Sequence, residues 1–154
     1  MFGSPEAMRF WNAPPAASVD AVRAMIARSL EASDAVHKGF AIVLRQTGRA
    51  VGMVNYHHRE PANQRLEIGY IIDPAHQGCG LAYEAVSAFV SYCFNALESH
   101  RVEAFTDPQN TASCKLLKRI GFTCEGGPLR ERIRLGNGEF GDQMAYALLK
   151  TERA

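Results

Sequence analysis

The chain has 154 residues, of which 47% are hydrophobic and 21% charged, and its formal net charge is +1. That length suits one domain with one buried core, so we expect no second catalytic domain. The near-neutral charge lacks the basic excess of nucleic-acid-binding domains, and no apolar run approaches the ~20 residues of a transmembrane helix. We therefore expect a cytoplasmic protein with no nucleic-acid or membrane partner, in which local geometry holds any anionic ligand.

Four cysteines are spread along the chain without a CxxC pair and without a histidine at zinc-ligand spacing: Cys79, Cys93, Cys114 and Cys124. This spacing predicts reduced thiols rather than a disulfide framework or a metal site. Cys79 has no base beside it in the sequence, so we do not expect it to act as a nucleophile.

The first third of the chain predicts two helices followed by a β-hairpin. Residues 5–11 predict a short helical turn, and Ser18 precedes a helix whose apolar residues recur at helical spacing. Residues 40–46 and 50–58 predict strands, and Thr47-Gly48 between them predicts a tight turn.

The rest alternates between strands and helices and ends in a long hairpin: strands at 65–72 and 101–106, helices at 81–97 and 110–119, and hairpin strands at 123–135 and 139–149. This order indicates an α/β (α+β) domain around a mostly antiparallel sheet. The helix at 81–97 supplies one parallel crossover.

A Gly-rich loop lies between the strand at 65–72 and the long helix, from His76 to Ala82. Such a loop presents backbone N–H groups at the positive end of a helix, and Gly78 and Gly80 carry no Cβ to hold a ligand away. The arrangement favours phosphate binding without a lysine.

Three phosphate loops are possible. A P-loop needs Lys and then Ser or Thr after its last glycine, but Leu81 and Ala82 follow here. A dinucleotide fingerprint needs a third Gly or Ala where this chain has Tyr83. The remaining pattern is Q-x-x-G-x-A from Gln77 to Ala82, and the alternative is a Gly-rich turn with no ligand.

That pattern resembles the coenzyme A motif of the GNAT acetyltransferase superfamily, and other segments agree with its RimJ/RimL type over nearly the whole chain. These segments are Pro5 to Trp11, Glu67-Ile68-Gly69-Tyr70, Ala82-Tyr83-Glu84-Ala85, Asn110-Thr111-Ala112-Ser113, Ile120-Gly121-Phe122 and Asp142 to Tyr146. The resemblance implies a single GNAT acyl-CoA N-acyltransferase domain over residues 1–154, with its mostly antiparallel sheet splayed at the cofactor strand and flanked by helices.

The resemblance also implies acetyl-CoA as co-substrate. The implied cofactor-binding residues are Gln77, Gly78, Cys79, Gly80, Leu81 and Ala82 for the pyrophosphate, Tyr70, Ile71 and Ile72 for the pantetheine arm, and Asn110 and Ser113 on the following helix. Ser113 corresponds to a serine proposed to help the departing sulfur, whereas Leu117 stands where many GNAT proteins place a general-acid tyrosine. Alternatively, Asn110 only caps its helix and Ser113 is a solvated residue.

Glu67 matches a carboxylate that some GNAT enzymes use as a base, directly or through water; its alternative role is a surface ion pair. His57 and His58 alternate faces of their strand, so at most one is expected to face the cleft; the alternative for either is a surface histidine. An α-amine of pKa near 7.7 to 8.0 is about a tenth neutral at pH 7, whereas a lysine-like amine costs ~4 to 5 kcal/mol to deprotonate. A weak base therefore suffices for an α-amine.

Two further side chains keep two interpretations each. His76 is either a donor near the phosphates or a solvated loop residue, and Asp142 either lines the acceptor cleft or fixes the terminal hairpin.

The family normally has a strand and a helix ahead of Pro5, and this chain starts almost at that position. The strand at 40–46 is then expected to be an exposed sheet edge, which predicts a homo-oligomer. The predicted activity is transfer of an acetyl group to a primary amine, either a protein N-terminus such as that of a ribosomal protein or a small molecule. The alternatives are a catalytically weak acyl-CoA-binding or regulatory protein and a nucleotide-binding module.

Overall fold

A computed structural model describes residues 1–153, in which two of the longer helices begin at a side-chain cap, Ser18 and Asn110. Ser18 Oγ accepts a hydrogen bond from the Ala21 N–H and starts the second helix. No helix of this part of the chain is long and apolar enough to cross a membrane. The α-helices are α1 (Pro5–Met8), α2 (Val19–Glu31), α3 (Leu81–Asn95) and α4 (Thr111–Ile120), with short 3-10 helices at Pro61–Asn63, Pro74–His76 and Lys150–Glu152.

The strands form one mixed sheet in the spatial order β1-β2-β3-β4-β6-β5. Only β3 and β4 run parallel, so the predicted crossover through the long helix is confirmed. The strands are β1 (Lys38–Val43), β2 (Ala50–Glu60), β3 (Arg65–Ile72), β4 (Arg101–Thr106), β5 (Thr123–Arg134) and β6 (Phe140–Leu149).

Several predicted boundaries are wrong by two or three residues: α1 ends at Met8 rather than at residue 11, β1 begins at Lys38 rather than at residue 40, and β2 ends at Glu60 rather than at residue 58. The first strand ends at Val43 rather than at residue 46, because Leu44 already belongs to the turn: its carbonyl accepts the Gly48 N–H at 2.8 Å. The long helix ends at Asn95 rather than at residue 97.

The sheet splays between its two parallel strands. β3 pairs with β4 only from Arg65 to Glu67, whereas β4 stays paired with β6 as far as Thr106. Beyond Glu67 the edge of β3 that faces β4 has no ladder partner there. The predicted splay is confirmed, and it opens on the side of the Gly-rich loop.

The main core lies between α3 and one face of the sheet. Tyr56, Leu66 and Val102 are each at most 1% exposed, and even-numbered residues of β2 and β3 point to this side. The helix contributes a buried stripe at helical spacing: Val86, Phe89, Val90, Cys93 and Phe94.

The sheet margin next to α2 is covered less completely. β1 is an edge strand of the described sheet, as expected, and α2 buries none of its residues fully. Val19 and Leu30 of this helix are 67% and 79% exposed, and Val43 of β1 is 49% exposed. Apolar surface therefore remains uncovered on this side.

The hairpin of β5 and β6 reaches back to the N-terminal segment. Gly136 at its tip donates its N–H to the Trp11 carbonyl at 2.9 Å. A Cβ on Gly136 would lie 2.3 Å from the backbone of Ala13, so only glycine permits this approach. The hairpin tip thus holds the segment that follows α1.

Candidate active site

The Gly-rich loop keeps the geometry that its glycines allow. Gly78 and Gly80 have left-handed φ values of +78° and +86°, and α3 begins after Gly80 with no side chain capping its first turn. Gln77 Nε2 donates to the Ile72 carbonyl at 3.0 Å, which fastens the loop to β3.

Two side chains of the loop are engaged within it. His76 Nδ1 lies 3.0 Å from Asp73 Oδ2, and the Cys79 thiol donates to the His76 carbonyl at 3.0 Å. His76 is therefore a partly buried, paired side chain rather than a solvated one.

A cavity of about 590 Å³ lies between this loop, the end of β3, α1 and α4. Cavities of this size hold cofactors and drug-sized ligands. Cys79 and Leu81 do not line it. The predicted cofactor residues that line it are Tyr70, Ile71, Ile72, Gln77, Gly78, Gly80, Ala82, Asn110 and Ser113.

Two hydroxyl groups meet in the cavity. Tyr70 Oη lies 2.7 Å from Ser113 Oγ, and burial raises the pKa of Tyr70 to about 12. Asn110 Oδ1 caps α4 by accepting the Ser113 N–H at 3.2 Å, and Asn110 also lines the cavity, so its two interpretations are compatible. Leu117 is fully buried. The phenol that contacts Ser113 thus comes from β3, a position for which the sequence predicted only pairing with the pantetheine arm.

Basic side chains that sequence reasoning missed stand around the same cavity: Arg9, Lys115 and Arg119. The Arg119 guanidinium lies 4.1 Å from the centre of the Tyr83 ring. The sequence shows Lys115 and Arg119 four residues apart, on one face of a helix. The position of Arg9 at the cavity was not predictable, because it depends on tertiary packing that brings α1 next to α4.

Glu67 lies outside that cavity, on the opposite face of β3 from Tyr70. Three residues separate the two, which is ~10 Å along a strand, and successive side chains alternate faces. Glu67 is the last residue of β3 that pairs with β4, so it stands where the splay begins. The structure therefore does not bring Glu67 and Ser113 into contact; they flank the opening from its two sides.

Both neighbouring histidines contact Glu67, which corrects the expectation that only one faces the cleft. His57 Nε2 lies 3.0 Å from Glu67 Oε1, and His58 Nδ1 lies 3.1 Å from Glu67 Oε2. His58 has a left-handed φ of +49°, and the pairing of β2 with β3 shifts register just there. This irregularity breaks the strand alternation and turns His58 toward the carboxylate.

The histidines determine the ionisation of Glu67. Burial alone would raise the pKa of this carboxyl, but the hydrogen bonds and charges of His57 and His58 outweigh it and lower the pKa below its ordinary value. Glu67 is therefore a carboxylate at neutral pH and a weak base.

Polar groups continue along this face of β2. Asn55 Oδ1 and His57 Nδ1 are buried and have no hydrogen-bond partner among residues 1–153. Gly69 makes room for them, since a Cβ there would lie 2.6 Å from Asn55 Oδ1. These two unpaired polar atoms lie on the same face of the sheet as Glu67, and a polar ligand bound there would satisfy them.

Asp142 has a structural contact that resolves its two interpretations. Its Oδ1 accepts the Glu131 N–H at 2.9 Å, so the side chain fixes the pairing of β5 with β6.

A sheet that splays at one parallel strand pair, with a Gly-rich loop and a helix N-terminus at the opening, is the architecture of the GNAT acetyltransferases. The sequence profile of the acetyltransferase (GNAT) domain matches residues 1–123. The chain therefore belongs to the GNAT acetyltransferase family, and the predicted fold and the prediction of an acetyltransferase are confirmed at that level.

The chain is also similar to individual proteins. It is 32% identical to the uncharacterized N-acetyltransferase p20 of Bacillus licheniformis, covering 99% of this chain and 85% of p20. Four further relatives from Bacillus subtilis are longer, and the chain spans 61 to 66% of their lengths.

Solved structures share the fold. Spermidine N-acetyltransferase from Vibrio cholerae in complex with CoA and spermine superposes with a TM-score of 0.83 at 23% identity, over 97% of this chain and 86% of that one. Ribosomal-protein-S5-alanine acetyltransferase from Vibrio fischeri superposes with a TM-score of 0.70 at 21% identity, over 88% and 71%.

Proposed function

We propose that this chain is an N-acetyltransferase of the RimJ/RimL type that moves the acetyl group of acetyl-CoA to a primary amine by direct attack. The observation that carries the proposal is the opening between β3 and β4, which starts at Glu67 and widens toward the Gly-rich loop. Acetyl-CoA bound along the loop and the unpaired edge of β3 would place its acetyl group near Glu67. The Glu67 carboxylate faces the opposite side of the sheet from the cavity.

Backbone geometry supports acetyl-CoA as the donor. The uncapped first turn of α3 and the glycines before it offer N–H groups to a pyrophosphate. From Ile68 to Ile72 the edge of β3 that faces β4 lacks a ladder partner, which suits an extended, amide-bearing pantetheine arm. The basic rim of Arg9, Lys115 and Arg119 adds positive charge for the remaining phosphate.

In the proposed reaction the amine nitrogen attacks the acetyl carbonyl carbon, a C–N bond forms, and the C–S bond breaks. Glu67, directly or through water, takes the proton that the amine loses. A phenol of pKa about 12 is a poor acid toward a thiolate whose conjugate acid has a pKa near ~8.5. Tyr70 and Ser113 therefore stabilise the departing sulfur by hydrogen bonding, and solvent supplies its proton.

The lowered pKa of Glu67 favours an α-amine as the acceptor. A weak base suffices for an amine that is about a tenth neutral at pH 7, but not for one near pKa 10.4. The acceptor class we propose is thus a peptide or protein N-terminal α-amine, as in the name of the Vibrio fischeri protein. The spermine in the Vibrio cholerae complex makes a polyamine the acceptor to test against it.

The test measures free-thiol release from acetyl-CoA with a panel of short peptides and polyamines. We expect release with peptides bearing a free α-amine and a loss of rate in Glu67→Gln and Ser113→Ala. Glu31→Gln, an exposed carboxylate on α2, is the matched control. Full activity in both site variants would refute the catalytic assignments.

The same panel separates the other classes of function. Affinity for coenzyme A without thiol release on any acceptor would identify a catalytically weak acyl-CoA-binding protein. Tighter binding of ATP or NAD than of coenzyme A in calorimetry would identify a nucleotide-binding module.

The proposal extends to the assembly and location of the protein. We propose that residues 1–154 form one GNAT domain and that a second copy covers the edge of β1 and the exposed apolar residues of α2. A monomer in light scattering at micromolar concentration would contradict this. The location we propose is the cytoplasm, because the four cysteines are free thiols, which suits a reducing compartment.

A further inference from the structure

We propose that His57, His58 and Glu67 form a binding site for a zinc-type divalent cation, and that its occupancy inhibits acetyl transfer. The inhibitory part rests on the proposed function, because it needs Glu67 as the base. The binding part stands on geometry alone.

The three side chains offer one ligand atom each, and these atoms all lie within 4.8 Å of one another. Two imidazole nitrogens and a carboxylate oxygen are a ligand set that zinc prefers, with a fourth position left open to water. In a tetrahedral centre with bonds of about 2.1 Å the ligand atoms are roughly 3.4 Å apart. The contacts of 3.0 and 3.1 Å involve different oxygens of Glu67, and the three ligand atoms lie within 4.8 Å of one another, so binding requires a side-chain shift of about 1 Å to reach that spacing.

The local backbone brings the set together. A regular strand would place His57 and His58 on opposite faces, and the left-handed φ of +49° at His58 puts both rings on the face of Glu67. His58 is 76% exposed, so a cation has access from solvent, whereas Glu67 is only 19% exposed and holds the inner position.

The surroundings indicate a reversible site rather than a structural one. A metal-binding histidine usually donates its second N–H to a protein acceptor, and loss of such a partner weakens affinity by roughly 10 to 100-fold. His57 Nδ1 has no hydrogen-bond partner in the described part of the chain. We therefore expect reversible binding, in which the occupancy of the site follows the free concentration of the cation. A carboxylate bound to it no longer takes a proton from an amine.

The experiment titrates the full-length, tag-free protein with zinc in calorimetry and with cobalt in visible absorption. We expect one equivalent of each, with d–d bands of a nitrogen and oxygen site. His58→Ala and Glu67→Gln should weaken binding at least tenfold. His100→Ala and Cys79→Ser, two exposed side chains away from the cluster, should leave it unchanged.

Three outcomes overturn the site: no binding, unchanged affinity in His58→Ala and Glu67→Gln, or a thiolate charge-transfer band that Cys79→Ser removes. Because His58 is exposed, its variant is expected to fold, and coenzyme A binding checks this. Zinc should lower thiol release reversibly on addition of a chelator. Specific zinc binding to a protein that transfers no acetyl group would refute the proposed function and the inhibition while retaining the site.

Discussion

The hydroxyl groups of Tyr70 and Ser113 lie 2.7 Å apart and join β3 to α4 across the cavity. The two residues come from different walls of the cavity, and the proposed cofactor would place its sulfur beside them. Both hydroxyls carry their protons at neutral pH, and burial raises the pKa of Tyr70 further, to about 12, so the pair is able to donate a hydrogen bond.

Removing either hydroxyl is expected to slow catalysis without preventing cofactor binding. Tyr70→Phe and Ser113→Ala should each lower kcat by about 10 to 100-fold, the worth of one hydrogen bond to a charged group. In the double variant kcat should fall by less than the product of the two single fold reductions, since the two hydroxyls act together. Steady-state kinetics measure this. Tyr92→Phe, a half-buried tyrosine of α3 outside the cavity, is the control, and an unaltered kcat in Tyr70→Phe would contradict the assignment.

The Gly-rich loop allows a matched comparison of two glycines. Gly80 and Gly48 both have positive φ and no atom within 4 Å of an added Cβ, so an aspartate strains each backbone by about 1 to 2 kcal/mol. Only Gly80→Asp is expected to abolish coenzyme A binding, because it places bulk and negative charge at the start of α3. Calorimetry with coenzyme A tests the pair. Equal affinities in the two variants would rule out phosphate binding at this loop.

The hairpin tip is expected to be intolerant of a side chain. Gly136→Ala should lower the free energy of unfolding by about 1 to 3 kcal/mol, because its Cβ meets the Ala13 backbone at 2.3 Å. Cofactor affinity should fall as well, since displacement of this segment also disturbs α1 at the cavity. Gly126→Ala, with open space around its Cβ, is the control in urea unfolding. Similar stability of the two variants would show that the contact is not required.

The half-buried His37, whose Nε2 lies 3.0 Å from Ser29 Oγ of α2, predicts a pH dependence of stability. Burial, and then the charge of His57, lowers the pKa of His37 below its ordinary 6.5. The unfolded chain therefore binds this proton more readily, so stability should fall as the pH drops through about 6.5 and level off below the folded pKa. Urea unfolding over a pH series measures the slope. His37→Gln should flatten the dependence of unfolding free energy on pH, whereas His100→Gln, an exposed control, should not. An unchanged slope in His37→Gln would contradict His37 as the cause of the pH dependence.

Element order and the conformation of the Gly-rich loop were predictable because their signals are local. Ser18 caps α2 through an atom three residues away, and the glycines at 78 and 80 determine the loop conformation themselves. The apolar stripe of α3 likewise follows from helical spacing.

Other parts of the site were not predictable because they depend on contacts distant in sequence. The register irregularity that turns His58 toward Glu67 and the approach of Gly136 to Ala13 leave no sequence pattern. Asp142 had two open interpretations until its contact with Glu131 was known.

The sequence by itself determined the order and class of the elements, the Gly-rich loop and the candidate carboxylate, since backbone propensity and side-chain period act over a few residues. Only the tertiary structure decided that Glu67 and Ser113 flank the opening from opposite faces, that the Tyr70 hydroxyl meets Ser113, and that two histidines share one carboxylate. Those relationships arise where strands separate or shift register, and strand pairing is a long-range property of the folded chain.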